Sequence, residues 1–582
     1  MSHSASNATW KVNTEDAPAS RALTRELGLP PLVARVLAGR GIASPEAAQP
    51  FLKPSLHDLH DPFLMKDMDR AAALLARAIA QRRPVRVCGD YDADGVTGAA
   101  LLVRAVTNLG GRADFHVPHR LRDGYGLRPE VVARAAADGV EVLVTVDCGA
   151  TDFEAVAAAR AAGLAVIVTD HHQVEARLPQ ADALINPRRR DCSYPFPDLA
   201  GVGVAFKLVC GLLQEMGIDT RSHLKFLDLV TLGTVGDIVP LVGENRVLVT
   251  HGLPRLQASR KRGVAALLDT ADLAGRTLTS RDVLFRLAPR LNAAGRMDDP
   301  RESVRLLLTR DPDEAQTLAE RLSALNDERR EEDRRTLDEA DAMVRDTVDL
   351  ASERSLVLAS EGWHPGVVGI VASRLVERYC RPTLLIALRD GVGTGSGRSL
   401  GAFHLWEALD RCSGLLVRFG GHRRAAGFTV QAAQVDALRA AFGEIACACL
   451  TDEDLAPVLH LDAWADLSEL TLETVSQLNA LGPFGTGNPE PVLGARHVAI
   501  DEITTCGAEG RHLRLRLSQA GPAAPTTIPA IWFGRGDLAA HLEPGLRADV
   551  CYQPEIDEWN GSTSVRLRLC DLATDRPLAP PD

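Results

Sequence analysis

Between residues 84 and 170 the chain keeps returning to one unit: a short apolar run, a break marked by acid or glycine, then a stretch of helical spacing. Val142-Leu143-Val144-Thr145-Val146 is the plainest run. It lacks the in-and-out alternation of a strand with one wet face, so it suits a strand covered on both faces. Such strands alternating with helices build a mostly parallel sheet, doubly wound, in an α/β fold. The spacing predicts a strand over 84–88 and a helix carrying Leu101, Leu102, Ala105 and Val106 that stops at Gly110-Gly111. A strand over 115–118 follows, then a helix over 129–139, a strand over 141–147, a helix over 152–163 and a strand over 165–170.

In sheets of this kind ligands sit beyond the carboxyl ends of the strands, near the point where strand order reverses. Three predicted strands end there in acids: Asp90, Asp92 and Asp94 in Val87-Cys88-Gly89-Asp90-Tyr91-Asp92-Ala93-Asp94-Gly95, then Asp147, then Asp170-His171-His172. One acid at a strand end is commonly the N-cap of the next helix. Three at one rim, one with paired histidines, point to a bound cation, because crowded carboxylates repel unless a cation offsets their charge. The D-x-D-x-D-G opening also matches a calcium loop, but Leu101 stands where that loop needs a bidentate glutamate. Aspartate oxygens with few imidazoles and no thiolate suit Mn²⁺ or Mg²⁺ better than structural zinc. Five or more such ligands imply two ions, the usual device for activating water and clamping a phosphoryl group.

Composition sets the outer bounds. A chain of 582 residues, 46% apolar, has material for roughly three or four domains. No apolar run reaches the ~18 residues of a bilayer span, and residues 1–20 lack the apolar core of a signal peptide, so a cytoplasmic protein without a membrane partner is expected. The 11 cysteines form no C-x-x-C pair, and Cys447 with Cys449 reads as helix packing, so neither a disulfide framework nor a zinc site is expected. A net charge of −12 argues against a generic nucleic-acid glove; any contact with phosphate backbones needs a local basic patch.

Asp92-x-Asp94, Asp147 and Asp170-His171-His172 together resemble the successive motifs of the DHH phosphoesterase superfamily, and Val235-Gly236-Asp237-Ile238-Val239-Pro240 fits a fourth. Within it, from about residue 84 to the last strand, the chain resembles the bacterial exonucleases specific for single-stranded DNA. The resemblance implies that Asp92, Asp94, Asp147, His171 and Asp237 hold two divalent cations, Mn²⁺ or Mg²⁺, with Asp147 as the bridge. It makes Asp147, His171 and His172 catalytic, with His172 facing the scissile phosphate, and places Asp90 and Asp170 behind the ligands. The chain departs from the pattern at Cys88, where many relatives carry a histidine ligand, so a water would complete that shell. The 5′-to-3′ release of mononucleotides and a place in recombination and repair are implied by the resemblance alone. So are the partners: single-stranded DNA with a free 5′ end, a single-strand-binding protein and a RecQ-type helicase.

Two loops read as substrate contacts. In 119–126, Arg120 and Arg122 could hold a phosphate and Tyr125 could stack a base, or the segment is simply an exposed basic loop. The segment 288–296 is similar to a motif of the same exonucleases, which makes Arg290, Asn292 and Arg296 candidates for gripping DNA.

Asp311-Pro312-Asp313-Glu314 then opens a long helix with an N-cap, a proline at its first position and a capping-box glutamate. Its apolar residues vanish over 326–336 and return at Leu337, Ala340 and Val344, so its middle is expected to bridge two domains through solvent. Beyond it, six arginines stand against three acids between Arg389 and Arg424, the local patch that the net charge demands. The motifs there resemble the DHH-associated domain, which implies substrate contacts by Ser396, Arg398, Ser399, His404, Gly420, Gly421 and His422.

Period-two alternation at 512–517 and 565–569, with Trp559-Asn560-Gly561 as a hairpin turn, predicts a small barrel, where the resemblance places an oligonucleotide-binding (OB-like) fold. Its Trp532, Phe533, Tyr552 and Trp559 could stack bases or fill the core. The expected organisation is a helical preface over 1–83, a catalytic domain over 84–310, a connecting helix over 311–350, a second α/β domain over 351–456 and the barrel over 457–582. Two rival functions stay open: a phosphodiesterase for short oligonucleotides or cyclic dinucleotides, and a noncatalytic replication scaffold. The barrel and basic second domain count against the first, and the intact ligand set against the second.

Overall fold

The computed structural model describes residues 3–4, 8–14, 16–120, 123–174, 176–521, 524–559 and 561–574. They form two compact units: residues 55–448 with 483–488, and residues 1–54 with 449–482 and 489–582.

In the larger unit, β1 (Pro84–Gly89), β2 (Arg112–His116), β3 (Val142–Val146), β4 (Ala165–Thr169) and β5 (Ala183–Ile185) make an all-parallel sheet in the order 2-1-3-4-5. The helices α1 (Ala93–Asn108), α2 (Pro129–Ala137) and α3 (Phe153–Ala161) connect its strands. All five residues of β3 are buried, as its unbroken apolar run requires. Alternate residues of the same strands feed two cores, Val85, Val87, Val142 and Val144 on one face and Leu143, Val166 and Val168 on the other. The doubly wound expectation is thereby borne out, and strand order reverses between β1 and β3, where the acids lie. The helices α4 (Gly201–Glu215) and α5 (Leu227–Gly236), buried along almost their whole length, cover one face, and the segment 288–296, read as a loop, is instead helical in α6 (Ala288–Met297), with Pro289 in its first turn.

The long helix α7 (Pro312–Thr347) has its proposed N-cap, with Asp311 accepting from the N–H of Asp313 and Glu314. Its middle corrects the sequence reading. Asn326, Arg329, Asp333 and Thr336 are buried, with Arg329 donating to Asp333 at 2.7 Å and to Asn326 at 2.9 Å. Spacing of three and four residues lets Arg329 reach both Asn326 and Asp333, so the stripe is buried instead of bridging through solvent.

Beyond α7, β6 (Leu356–Ser360), α8 (Val368–Tyr379), β7 (Thr383–Arg389), β8 (Val392–Arg398), β9 (Leu416–Gly421) and β10 (Ala425–Gln431) form a mixed sheet in the order 9-10-8-7-6, with β6 and β7 parallel. In the smaller unit, β11 (Leu493–Cys506), β12 (His512–Gln519), β13 (Thr526–Trp532), β15 (Ser562–Thr574) and β14 (Arg547–Trp559) pair in that order and β14 returns to β11, closing a barrel. Trp532 and Tyr552 lie in its core while Phe533 is exposed. The hairpin tip at Asn560 and the Trp559 side chain lie outside the described residues.

The preface does not stand alone. Its strand Thr9–Val12 pairs in parallel with Val458–Leu461, and Trp10 donates to Asp571 at 2.7 Å, so residues 1–54 join the barrel unit while 55–83 join the catalytic one. Among the described residues no helix is long and apolar enough to cross a membrane.

Candidate active site

The acidic turn after β1 folds back on the start of α1. Asp92 is the N-cap, its Oδ1 accepting from the N–H of Asp94 at 3.0 Å and of Gly95 at 3.1 Å. The next N–H donor, Ala93, is taken by Asn292 Oδ1 at 2.7 Å, reaching in from α6. Residue 95 must be glycine, because a Cβ there would stand 2.4 Å from the backbone of Asp90. Asp94 is fully buried and accepts from the N–H of Gly201 at 2.6 Å and of Val202 at 2.7 Å, so the positive end of α4 faces its charge. At the end of β3, Asp147 takes a left-handed backbone, φ 61°, which costs about 1–2 kcal/mol in a non-glycine residue. Asp237 caps the C-terminus of α5.

These turns bring the predicted residues together. Asp147, His171 and His172 form one group, Asp94, His171 and Asp237 a second, and Asp90, Asp92 and Asp147 a third; within each, possible ligand atoms lie within 4.8 Å of one another. His171 Nε2 stands 3.0 Å from Asp147, 3.6 Å from Asp237 and 3.8 Å from Asp94. Asp170 Oδ1 accepts from the N–H of His171 and of His172 and lies 2.8 Å from His172 Nδ1. Burial works against charge on His172, but that carboxylate outweighs it and raises the imidazole pKa.

The electrostatics ask for cations. Burial first, then the neighbouring aspartates, hold Asp90, Asp147 and Asp237 well above the usual carboxylate range and push Asp94 up to about 7. Burial pushes His171 down to about 3, keeping its imidazole neutral and able to ligate. Asp90 Oδ1 and Asp237 Oδ2 are buried without a hydrogen-bond partner among the described residues. Divalent cations bound by oxygen and imidazole donors would satisfy those atoms and offset the repulsion, so the residues fit Mn²⁺ or Mg²⁺.

A cluster of guanidiniums lies beside the acids. Burial and the nearby Arg120 charge push both Arg296 and Arg398 down to about 10. Arg120 sits over the Tyr91 ring, 5.1 Å from its centre, Arg296 donates to Gly366 O at 3.2 Å, and Arg398 donates to Ser396 Oγ at 3.0 Å. A Cβ on Gly369 would come within 2.9 Å of Ser396 and 3.0 Å of Arg398, so the first turn of α8 abuts both. Cations held this close repel one another, and an anion such as phosphate would relieve that repulsion. His422 belongs to the same surroundings, since burial and the charges of Arg398, His172 and Arg424 together lower its pKa.

Three family models match: the N-terminal domain of the DHH family over residues 84–234, the DHHA1 domain over 353–446 and the RecJ OB domain over 461–571. The single-stranded-DNA-specific exonuclease RecJ of Escherichia coli (strain K12) is 37% identical over 94% of this chain and 96% of its own length. The chain belongs to the RecJ family. RecJ of Bacillus subtilis (strain 168) is 36% identical over 98% of this chain and 71% of its own length. The crystal structure of Thermus thermophilus RecJ in complex with Mn²⁺ superposes with a TM-score of 0.84 at 33% identity, covering 98% of this chain and 80% of that one.

The contacts within the chain change several sequence expectations. Arg290 is buried and spends its guanidinium on Arg286 O at 2.5 Å and Thr270 O at 3.3 Å, so it does not face a strand. Asn292 supports the aspartate turn. Tyr125, read as a stacking residue, donates its hydroxyl to Asp147 O at 2.9 Å and stands 3.2 Å from His172 Nδ1, which positions that imidazole. Asp90, read as lying behind the ligands, offers an oxygen alongside Asp92 and Asp147. Cys88 is buried in the core on the far face of the sheet, with its thiol pushed up to about 12 by burial, and belongs to none of the three groups.

Ser399 donates to Phe403 O at 3.1 Å, His404 caps the helix Leu405–Arg411, and Gly420 and Gly421 end β9. Arg122 lies outside the described residues. Nothing in the local sequence announces the Asn292 and Tyr125 roles; both depend on contacts across the fold.

Proposed function

We propose that this RecJ-family chain removes mononucleotides from single-stranded DNA, working from a free 5′ end with two divalent cations. The observation that carries the reading is the meeting of five aspartates and two histidines, in three ligand groups, at the switch point of the sheet. Relatives named as single-stranded-DNA-specific exonucleases, and RecJ crystal structures in complex with Mn²⁺ and with Mg²⁺, support it. When bound, such a pair of ions acidifies water and draws charge from a phosphoryl oxygen.

The chain's own residues do the rest. Asp92, Asp94, Asp147, His171 and Asp237 hold the ions, with Asp147 shared between two of the ligand groups. Asp170 and Tyr125 orient His172 toward the scissile phosphate. Arg120, Arg296 and Arg398 grip phosphate oxygens with charge-assisted hydrogen bonds, and their half-buried setting strengthens each contact. In this reading the enzyme works in the cytoplasm, in recombination and repair, on strands presented by a single-strand-binding protein and a RecQ-type helicase.

The test is a long single strand labelled at one end or the other, beside the matching duplex, in Mn²⁺. Early release of mononucleotide from the 5′ label, with the duplex resistant, is the expected result. Release from the 3′ label, or cleavage confined to very short oligomers, would sink the reading.

A further inference from the structure

The two helices that deliver metal-site aspartates also reach a second concavity at their other ends. Asp94 opens α1, and Arg104 and Asn108 near its far end line a cavity of about 600 Å³. Asp237 follows α5, and Phe226 and Asp228 at its opposite end line the same cavity. At 1.5 Å per residue the helices set this cavity roughly 14 to 21 Å from the ligands.

Seven of its fourteen lining residues are lysine or arginine and one is acidic, in a chain whose net charge is −12. Three of the cations are committed. Lys261 pairs with both oxygens of Asp228 at 2.7 and 2.8 Å, Arg104 donates to Leu307 O at 2.8 Å, and Arg255 donates to His251 O at 2.8 Å. Lys225, Arg260, Arg262 and Arg310 have no acid partner among the described residues.

Gathering unpaired cations around one hollow stores repulsion, and a bound polyanion relieves it. The volume suits a ligand of mononucleotide size. We propose that this pocket is a second anion site, taking the phosphate chain of a small polyphosphate: inorganic pyrophosphate or a nucleoside triphosphate. Four chain segments, around 104–108, 224–228, 255–262 and 309–310, converge on it, which favours a compact ligand over an extended strand.

The experiment uses the full chain in excess chelator and a fluorescently labelled nucleoside triphosphate, read by anisotropy. Wild type, Arg398→Ala and the triple variant Arg260→Glu, Arg262→Glu, Arg310→Glu are compared. Saturable binding that changes less than about twofold in Arg398→Ala and weakens at least about tenfold in the triple variant is expected. Displacement by pyrophosphate assigns the phosphate chain alone, and displacement by unlabelled nucleoside triphosphate only assigns the nucleotide. The triple variant alters exposed side chains and keeps its thermal midpoint and its cleavage of single strands; Arg310→Gln alone, with partial weakening, serves if it does not. Equal binding by wild type and the triple variant, loss in Arg398→Ala instead, absence of saturable binding, or displacement only by a single strand each overturn the proposal.

Discussion

Asn292→Ala separates two jobs that one side chain could do. Its Oδ1 accepts the N–H of Ala93, 199 residues away in sequence, at 2.7 Å. Ala93 opens α1 between Asp92 and Asp94, and a helix start leaves such N–H groups without an intrahelical partner. Ala93 is 1% exposed, so water does not replace the lost acceptor, and an unsatisfied buried donor costs about 1–2 kcal/mol. That cost falls on the turn carrying two ligands. At about 1.4 kcal/mol per tenfold it corresponds to roughly 5- to 30-fold in cation affinity. The assay is a titration of cleavage against Mn²⁺, paired with single-strand binding measured in chelator. The Mn²⁺ needed for half-maximal rate should rise by that factor while strand affinity stays within about twofold. An unchanged Mn²⁺ requirement with weakened strand binding would refute the capping argument and return Asn292 to the DNA.

Arg398→Ala should weaken single-strand binding and reduce the slope of log affinity against log salt by about one, as removal of one phosphate contact does; an unchanged slope contradicts the phosphate role. Gly201→Ala puts a Cβ 2.7 Å from the Asp147 Cβ and 2.9 Å from Asp94 Oδ2, so cleavage should fall by about 100-fold through ligand displacement, and wild-type rates would contradict the geometry. Burial, with Arg86 nearby, lowers the pKa of His116 in the fold below the ordinary value of about 6.5. The unfolded chain therefore takes up that proton first, and stability is lost as pH falls through and below that value. His116→Gln should lose less in thermal midpoint than wild type between about pH 7.5 and 5.5, and an equal loss would dismiss the assignment.

What was legible in the sequence was local. The apolar run of β3 and the acids at strand ends are set by neighbours a few residues apart, and parallel strands with a switch point then place Asp92, Asp94, Asp147 and His171 at one rim without further information. The misreadings are tertiary. Polar spacing in α7 looked solvated because its middle lacks apolar residues, yet Arg329, Asp333 and Asn326 pair among themselves and stay buried. Arg290 looked like a DNA contact because 288–296 is similar to a motif of DNA exonucleases, and its guanidinium turns inward to carbonyls that no local pattern reveals. The parallel pairing of Thr9–Val12 with Val458–Leu461 joins segments from opposite ends of the chain, so the preface could not be assigned to the barrel unit from its own composition.

In the proposed function the aspartates and histidines at the switch point hold the cations needed for cleaving DNA. Counting Mn²⁺ bound per chain at equilibrium, for wild type and Asp147→Asn, with cleavage of single strands followed in the same samples, tests it most directly. About two ions are expected in wild type, with at least one lost in the variant and cleavage lost with it. Full Mn²⁺ occupancy with undiminished cleavage in Asp147→Asn would contradict it.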